Sequence, residues 1–163
     1  MYCDVYEGGF YLAGGVMNKV VKEVAFDAAH RLFGYPGKCA NIHGHRYRVL
    51  VALNYREVRD DGLSIDFSRI SDSVGKWVSE NWDHKLLLNS EDPLGKYLVD
   101  TSLCTVSSIF SFEKNPTAEV LAEYLVKVVI PYQWPYLGHI LHSISVYETP
   151  TCCAVVKVPH VSD

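Results

Sequence analysis

The sequence predicts an α+β domain: an antiparallel four-stranded sheet with two helices on one face, in the order strand, strand, helix, helix, strand, strand. Three observations carry this. Apolar residues recur at alternate positions over residues 20–30 and 43–53, they recur at three- and four-residue intervals over 67–77 and 120–129, and two further strand-like segments close the chain at 140–149 and 151–158. Helices segregated from strands in this way pack on one side of an antiparallel sheet. At 163 residues the chain is long enough for a core and short for two domains.

Residues 1–18 are rich in Gly and Tyr and show neither periodicity, so they are set apart as an N-terminal extension, either a locally packed tail or an oligomer contact. Residues 19–163 form the single domain. In the first strand Val20, Val24, Phe26, Ala28 and His30 share one parity, with β-branched and aromatic chemistry. The segment RLFGYPGKCANI (31–42) is a loop by its Gly, Pro and Asn content. A second strand, HGHRYRVLVALNYREV (43–58), directs His43, His45, Tyr47, Val49, Val51 and Leu53 to one face and returns antiparallel to the first.

Asp60, Asp61 and Gly62 mark a turn. Phe67, Ile70, Val74 and Trp77 then form the apolar stripe of a helix whose other side carries Ser68, Arg69, Asp72, Ser73 and Lys76, with Asp66 as its cap. Residues 90–114 fit no element clearly, although LCTVSSIF (103–110) can form a short strand. For the second helix Asn115 is the expected cap, Pro116 the first helical position and Pro131 the end. Its stripe is Val120, Leu121, Tyr124, Leu125, Val128 and Val129. After a turn-rich connector, PYQWPYLG, the last two strands form a hairpin about Thr149, Pro150 and Thr151.

Composition narrows the function. A net charge of −4 with scattered cations excludes a general nucleic-acid binder, which carries a basic patch or stripe. The longest apolar runs fall well short of the roughly 20 residues of a membrane span. The first eighteen residues lack the charged start and continuous apolar core of a secretory signal, so a cytoplasmic protein is expected. Five cysteines, an odd number without regular spacing, read as reduced thiols.

The chemistry concentrates in residues 29–47. His43 and His45 leave the same face of a strand, and the hairpin returns His30 beside them. Three imidazoles with an open position suit a catalytic zinc, because a structural zinc takes four protein ligands. Cys39, in the intervening loop, is either a fourth ligand, which closes the site, or a reactive thiol whose thiolate is favoured by Lys38 and a nearby cation. Asp83 and His84 are a surface pair or a coupled acid-base pair. Glu148, at a strand end, is a rim charge or a bidentate acceptor for the N–H edge of a pterin or guanine ring. Glu119 complements the dipole of the second helix.

Five segments in order, FDAAHRL (26–32), KCANIHGH (38–45), WDHKLLLN (82–89), NPTAEVLA (115–122) and VYET (146–149), resemble the family of 6-pyruvoyl- and 6-carboxytetrahydropterin synthases. The resemblance implies the tunnelling fold, in which such sheets join into a barrel, commonly in a hexamer of two stacked trimers with pockets between subunits. It implies zinc on His30, His43 and His45, with Cys39, Asp83 and His84 as the acid-base set and Glu148 as ring anchor. Thr117 and Glu119 fall at the family's positions near the substrate. Arg31, Lys38, Arg46 and Lys85 are candidates for binding a triphosphate.

The three residues between Cys39 and His43 resemble the carboxy-forming bacterial branch of the 7-deazaguanine pathway, which implies a lyase acting on 7,8-dihydroneopterin triphosphate. Pyruvoyl formation and a non-catalytic, zinc-stabilised pterin- or purine-binding module are the alternatives. The extension and the long 90–114 segment depart from the family pattern.

Overall fold

A computed structural model describes residues 18–159. Strands β1 (Asn18–His30) and β2 (His43–Tyr55) pair antiparallel without a break, from Asn18 opposite Tyr55 to His30 opposite His43. The expected loop therefore spans residues 31–42. Strand β5 (Leu141–Thr149) lies beside β2, and β6 (Cys152–Lys157) beside β5, as the expected hairpin. Of the extension expected at residues 1–18, only Asn18 is described, and it opens β1.

The strand parity read from sequence is the parity of burial. Phe26, Ala28, Tyr47, Val49, Val51 and Leu53 are buried on one face, joined by Ile144 and Val146 of β5. Helix α1 covers residues 67–81, beginning at Asp66, whose carboxylate accepts the Ser68 N–H. Ile70, Val74 and Val78 of α1, with Leu121, Leu125 and Val129 from the second long helix, complete the same core cluster. Phe67, placed on the apolar stripe, is the first residue of the helix and is 47% exposed.

The sheet is wider than four strands and it is mixed. Two short strands, β3 (Leu86–Asn89) and β4 (Ile109–Phe112), add parallel to the edge of β1, giving the order β4-β3-β1-β2-β5-β6. Parallel neighbours need a crossover, and the 90–114 segment supplies it through helix α2 (Pro93–Asp100), capped by Asp92. A Cβ on Gly95 of α2 would meet Leu88 at 3.3 Å and Ile109 at 3.9 Å. By register those side chains lie opposite the main core, so α2 covers the other face of the sheet. The LLLN run is too short to show a period, which is why its strand was not expected. The short strand considered within 103–110 begins only at Ile109.

The second long helix, α3 (residues 118–133), is capped by Thr117 and not by Asn115. It also continues through Pro131. A proline lacks the N–H and crowds the carbonyl one turn back; here a wider π-helical turn, Leu125–Val129, directly precedes it and absorbs the misfit. The connector is partly helical, ending in α4 (Pro135–Gly138). Among the described residues no helix is long and apolar enough to cross a membrane.

Candidate functional site

His30 ends β1 and His43 begins β2, so the hairpin register sets them side by side, with His45 two positions on. The three ring centroids form a near-equilateral triangle of 4.5, 5.0 and 5.1 Å. One nitrogen from each ring falls within a group whose atoms lie within 4.8 Å of one another. Gly44 permits this approach: a Cβ there would stand 3.3 Å from the Ala28 carbonyl oxygen, tight enough to push the strands apart.

Two carbonyls select the tautomers. His30 Nδ1–H donates to Pro116 O at 2.7 Å and His43 Nδ1–H to Asn41 O at 2.8 Å. Both Nε2 atoms then present lone pairs, yet they stand 3.0 Å apart. Two lone pairs at that distance repel unless a proton or a metal ion lies between them; tetrahedral zinc sets its nitrogens roughly 3.3 Å apart. The donor set therefore fits a metal. His30 is 2% exposed, and its pKa is lowered to about 4 by burial first and by the neighbouring imidazoles, against the Pro116 carbonyl. It is a neutral imidazole at pH 7.

The loop carrying Cys39 is held by distant elements. Cys39 sits in a 3-10 turn, Lys38–Ala40, and its carbonyl accepts the Leu32 N–H at 2.8 Å. Its sulfur is not among the converging metal-ligand atoms. Asn115 exchanges two hydrogen bonds with the backbone of Phe33, at 2.9 and 3.0 Å. Arg31 places two donors on Asp92 at 2.6 Å each.

Asp83 and His84 follow α1 at a sharp corner. His84 has φ +57°, left-handed backbone that few non-glycine residues adopt. Its N–H donates to Asp27 O at 2.6 Å, and the Asp27 N–H donates to Asp83 Oδ1 at 2.8 Å. His84 Nδ1–H takes the other carboxylate oxygen at 2.9 Å. Burial raises the Asp83 pKa, but the Asp27 N–H, His84 and Arg46 together outweigh it and hold the carboxyl below its usual range. The imidazole is 80% exposed. An oriented histidine with a free Nε2 can exchange protons with a ligand.

An open recess of about 740 Å³ has His45, His84, Lys85 and Cys104 among its lining residues. Cys39, Glu148, Thr117 and Glu119 do not line it. Glu148 is half-buried on β5, and its charge raises the pKa of the buried Tyr47 phenol, though burial is the larger cause. Thr117 accepts the Val120 N–H at 3.4 Å as a helix cap, and Glu119 is an exposed first-turn acid. Of the proposed cations, Arg31 is committed to Asp92, Arg46 pairs with Asp27, and Lys85 donates to the Ser107 carbonyl.

The family model of 6-pyruvoyl tetrahydropterin synthase matches residues 19–159. The chain belongs to the 6-pyruvoyl tetrahydropterin synthase family. Among similar members of that family are proteins named 6-carboxy-5,6,7,8-tetrahydropterin synthase: one from Rickettsia felis is 35% identical over 83% of this chain and 97% of its own length, and one from Haemophilus influenzae is 30% identical over 83% and 95%. A 6-pyruvoyl tetrahydropterin synthase from Plasmodium falciparum, 25% identical, shares the fold with a TM-score of 0.62 over 86% of this chain and 96% of its own. An uncharacterized protein from Wolinella succinogenes, 23% identical, does so with a TM-score of 0.72 over 88% and 99%.

Within this synthase family member, sequence reasoning passed over the supports of the histidines. Pro116 and Asn41 act through backbone carbonyls, which leave no side-chain signature. Asp92 carried a signal, Asp-Pro at a helix start, which marks a cap. The Asn-Pro-Thr segment divides three tasks that read as one helix start: Asn115 holds the loop, Pro116 orients His30 and Thr117 caps α3.

Proposed function

We propose that this chain is a zinc-dependent 6-carboxy-5,6,7,8-tetrahydropterin synthase, converting 7,8-dihydroneopterin triphosphate to 6-carboxytetrahydropterin, acetaldehyde and triphosphate. It is a carbon–carbon or carbon–oxygen lyase of 7-deazaguanine, queuosine-type, biosynthesis. The observation that carries the reading is the meeting of three imidazoles, two with Nδ1 committed to carbonyls, at one point suited to a metal. The names of the Rickettsia and Haemophilus relatives favour the carboxy product.

Zinc held by His30, His43 and His45 would supply Lewis acidity to the side-chain hydroxyls of the substrate. Cys39, as thiolate, takes a carbon-bound proton, and His84, oriented by Asp83, delivers one. Glu148 accepts the N–H edge of the ring and sets the distances before reaction, with Thr117 and Glu119 near the same pocket. Lys38 and Lys85 are the cations assigned to the triphosphate, Lys85 exchanging its bond to the Ser107 carbonyl for a phosphate oxygen.

The recess holding His84 excludes Cys39 and Glu148, which supports a pocket completed by neighbouring copies; we assign a homohexamer of two trimers, with sheets joined into a barrel. Residues 19–163 are its synthase domain. Free thiols at Cys39, Cys104, Cys152 and Cys153 suit a reducing, cytoplasmic compartment.

Mass spectrometry of the products from 7,8-dihydroneopterin triphosphate, with metal analysis of the same protein, tests this. The carboxy product and about one zinc per chain are expected. 6-Pyruvoyltetrahydropterin without the carboxy product would overturn the reading.

A further inference from the structure

The crossover between β3 and β4 is pinned at both ends to residues that directly follow members of the candidate site. Arg31, next after His30, places two donors on Asp92, whose side chain is fully buried and also caps α2. Lys85, next after His84, donates to the carbonyl of Ser107. Between the pins the chain leaves α2 through Ser102, whose φ of +57° turns it back. The Leu98 carbonyl then accepts the N–H groups of Leu103 at 2.9 Å and Cys104 at 3.3 Å. This turn gathers three side chains into a wall: Leu98, Leu103 and Cys104 line the open recess that also holds His45, His84 and Lys85.

The chemistry of the wall limits what it can recognise. Leu98 and Leu103 offer no side-chain donor or acceptor to a hydroxyl or a phosphate; they can cover only carbon. Leu103 is 68% exposed, an apolar side chain that a ligand in the recess would remove from water. A candidate zinc ligand, a candidate proton donor and a cation share the recess, whereas the ring anchor Glu148 does not line it. The part of the substrate that suits both sets of groups is its side chain, a run of carbons bearing hydroxyls and phosphates.

We propose that Leu98 and Leu103 determine specificity for that side chain: they pack on its carbon atoms while His84 and Lys85 meet its polar groups, a role that rests on the proposed synthase activity. When a phosphate takes Lys85 from the Ser107 carbonyl, the bond between Arg31 and Asp92 still holds α2, and with it Leu98, against the end of β1.

The test uses zinc-loaded, full-length protein. Alkylation of Cys104 by iodoacetamide is followed by peptide mass spectrometry, with Cys152, on β6 and outside the recess, as the reference. Neopterin triphosphate, the fully oxidised analogue of the substrate, should protect Cys104. Pterin, which has the ring without the side chain, should leave its alkylation unchanged at concentrations where pterin fluorescence shows binding. L98A and L103A should each raise KM for 7,8-dihydroneopterin triphosphate about tenfold, the effect of methylenes missing from an apolar pocket, with kcat within about twofold and zinc unchanged. L98M, which conserves volume, should restore KM close to that of the parent. Because Leu103 is exposed, L103A reads the contact even where L98A fails to fold. Cys104 unprotected by neopterin triphosphate, protection by pterin, or parent-like KM in L103A overturns the proposal, while turnover by the parent keeps the synthase reading. Absence of turnover by the parent removes both.

Discussion

His30 Nδ1 donates to the carbonyl of Pro116, 86 residues further along the chain, at 2.7 Å. This bond leaves the Nε2 lone pair free to face His43 and ties the histidine cluster to the start of α3. Partners of this kind, one shell beyond the metal, typically change metal affinity ten- to a hundredfold.

Replacing Asn115 by Ala removes both bonds to Phe33 beside that carbonyl. Stability should fall by about 1–2 kcal/mol, and zinc affinity about tenfold. Urea denaturation and competition with a chelating dye measure the two effects separately.

Chelation should abolish turnover, and added zinc should restore it. Cys39→Ala should lose turnover while keeping zinc content and fold, because its sulfur lies outside the ligand group. Unchanged turnover in that variant would remove Cys39 as the base.

Asp83→Asn keeps the size of the side chain but cannot accept from the Asp27 N–H and His84 Nδ1–H as a carboxylate does. A fall in kcat of about a hundredfold is expected, the range of a positioned general acid or base. Steady-state kinetics across pH follow it, and a loss confined to KM would contradict the role.

The metal-free protein should lose stability in mild acid. The folded-state pKa of His30 is lowered from 6.5 to about 4, so between those values the unfolded chain binds more protons than the folded one. Its contribution is complete above pH 6.5 and is lost as pH falls toward 4, by up to about 3 kcal/mol. Denaturant midpoints against pH measure this slope. His30→Gln should flatten it.

Asp92→Ala strips a buried carboxylate that receives Arg31 and the Leu94 N–H. Because Arg31 is 25% exposed, the loss should be about 2–4 kcal/mol, at or below that of a fully buried pair. Thermal unfolding tests it.

Much of this architecture was legible in short-range patterns. Val20 to His30 and His43 to Leu53 alternate, and that alternation is the burial pattern of β1 and β2. Once the two strands pair, His30, His43 and His45 must meet, so the cluster of three imidazoles was readable from parity and pairing. The Asp66 cap was readable too, because its bond to Ser68 spans only two residues. Leu86–Asn89 and Ile109–Phe112 are too short to show a period, and their pairing depends on neighbours far away in sequence.

By itself the sequence determined which residues share a face, since a strand's period of two needs no partner, and so it determined the three imidazoles. Only the tertiary structure decided which nitrogen His30 and His43 each offer, where the Cys39 loop is anchored, and that the buried Tyr47 hydroxyl has no hydrogen-bond partner among the described residues. Those depend on backbone carbonyls and contacts between distant segments, and a carbonyl has the same chemistry at every residue until the fold gives it a position.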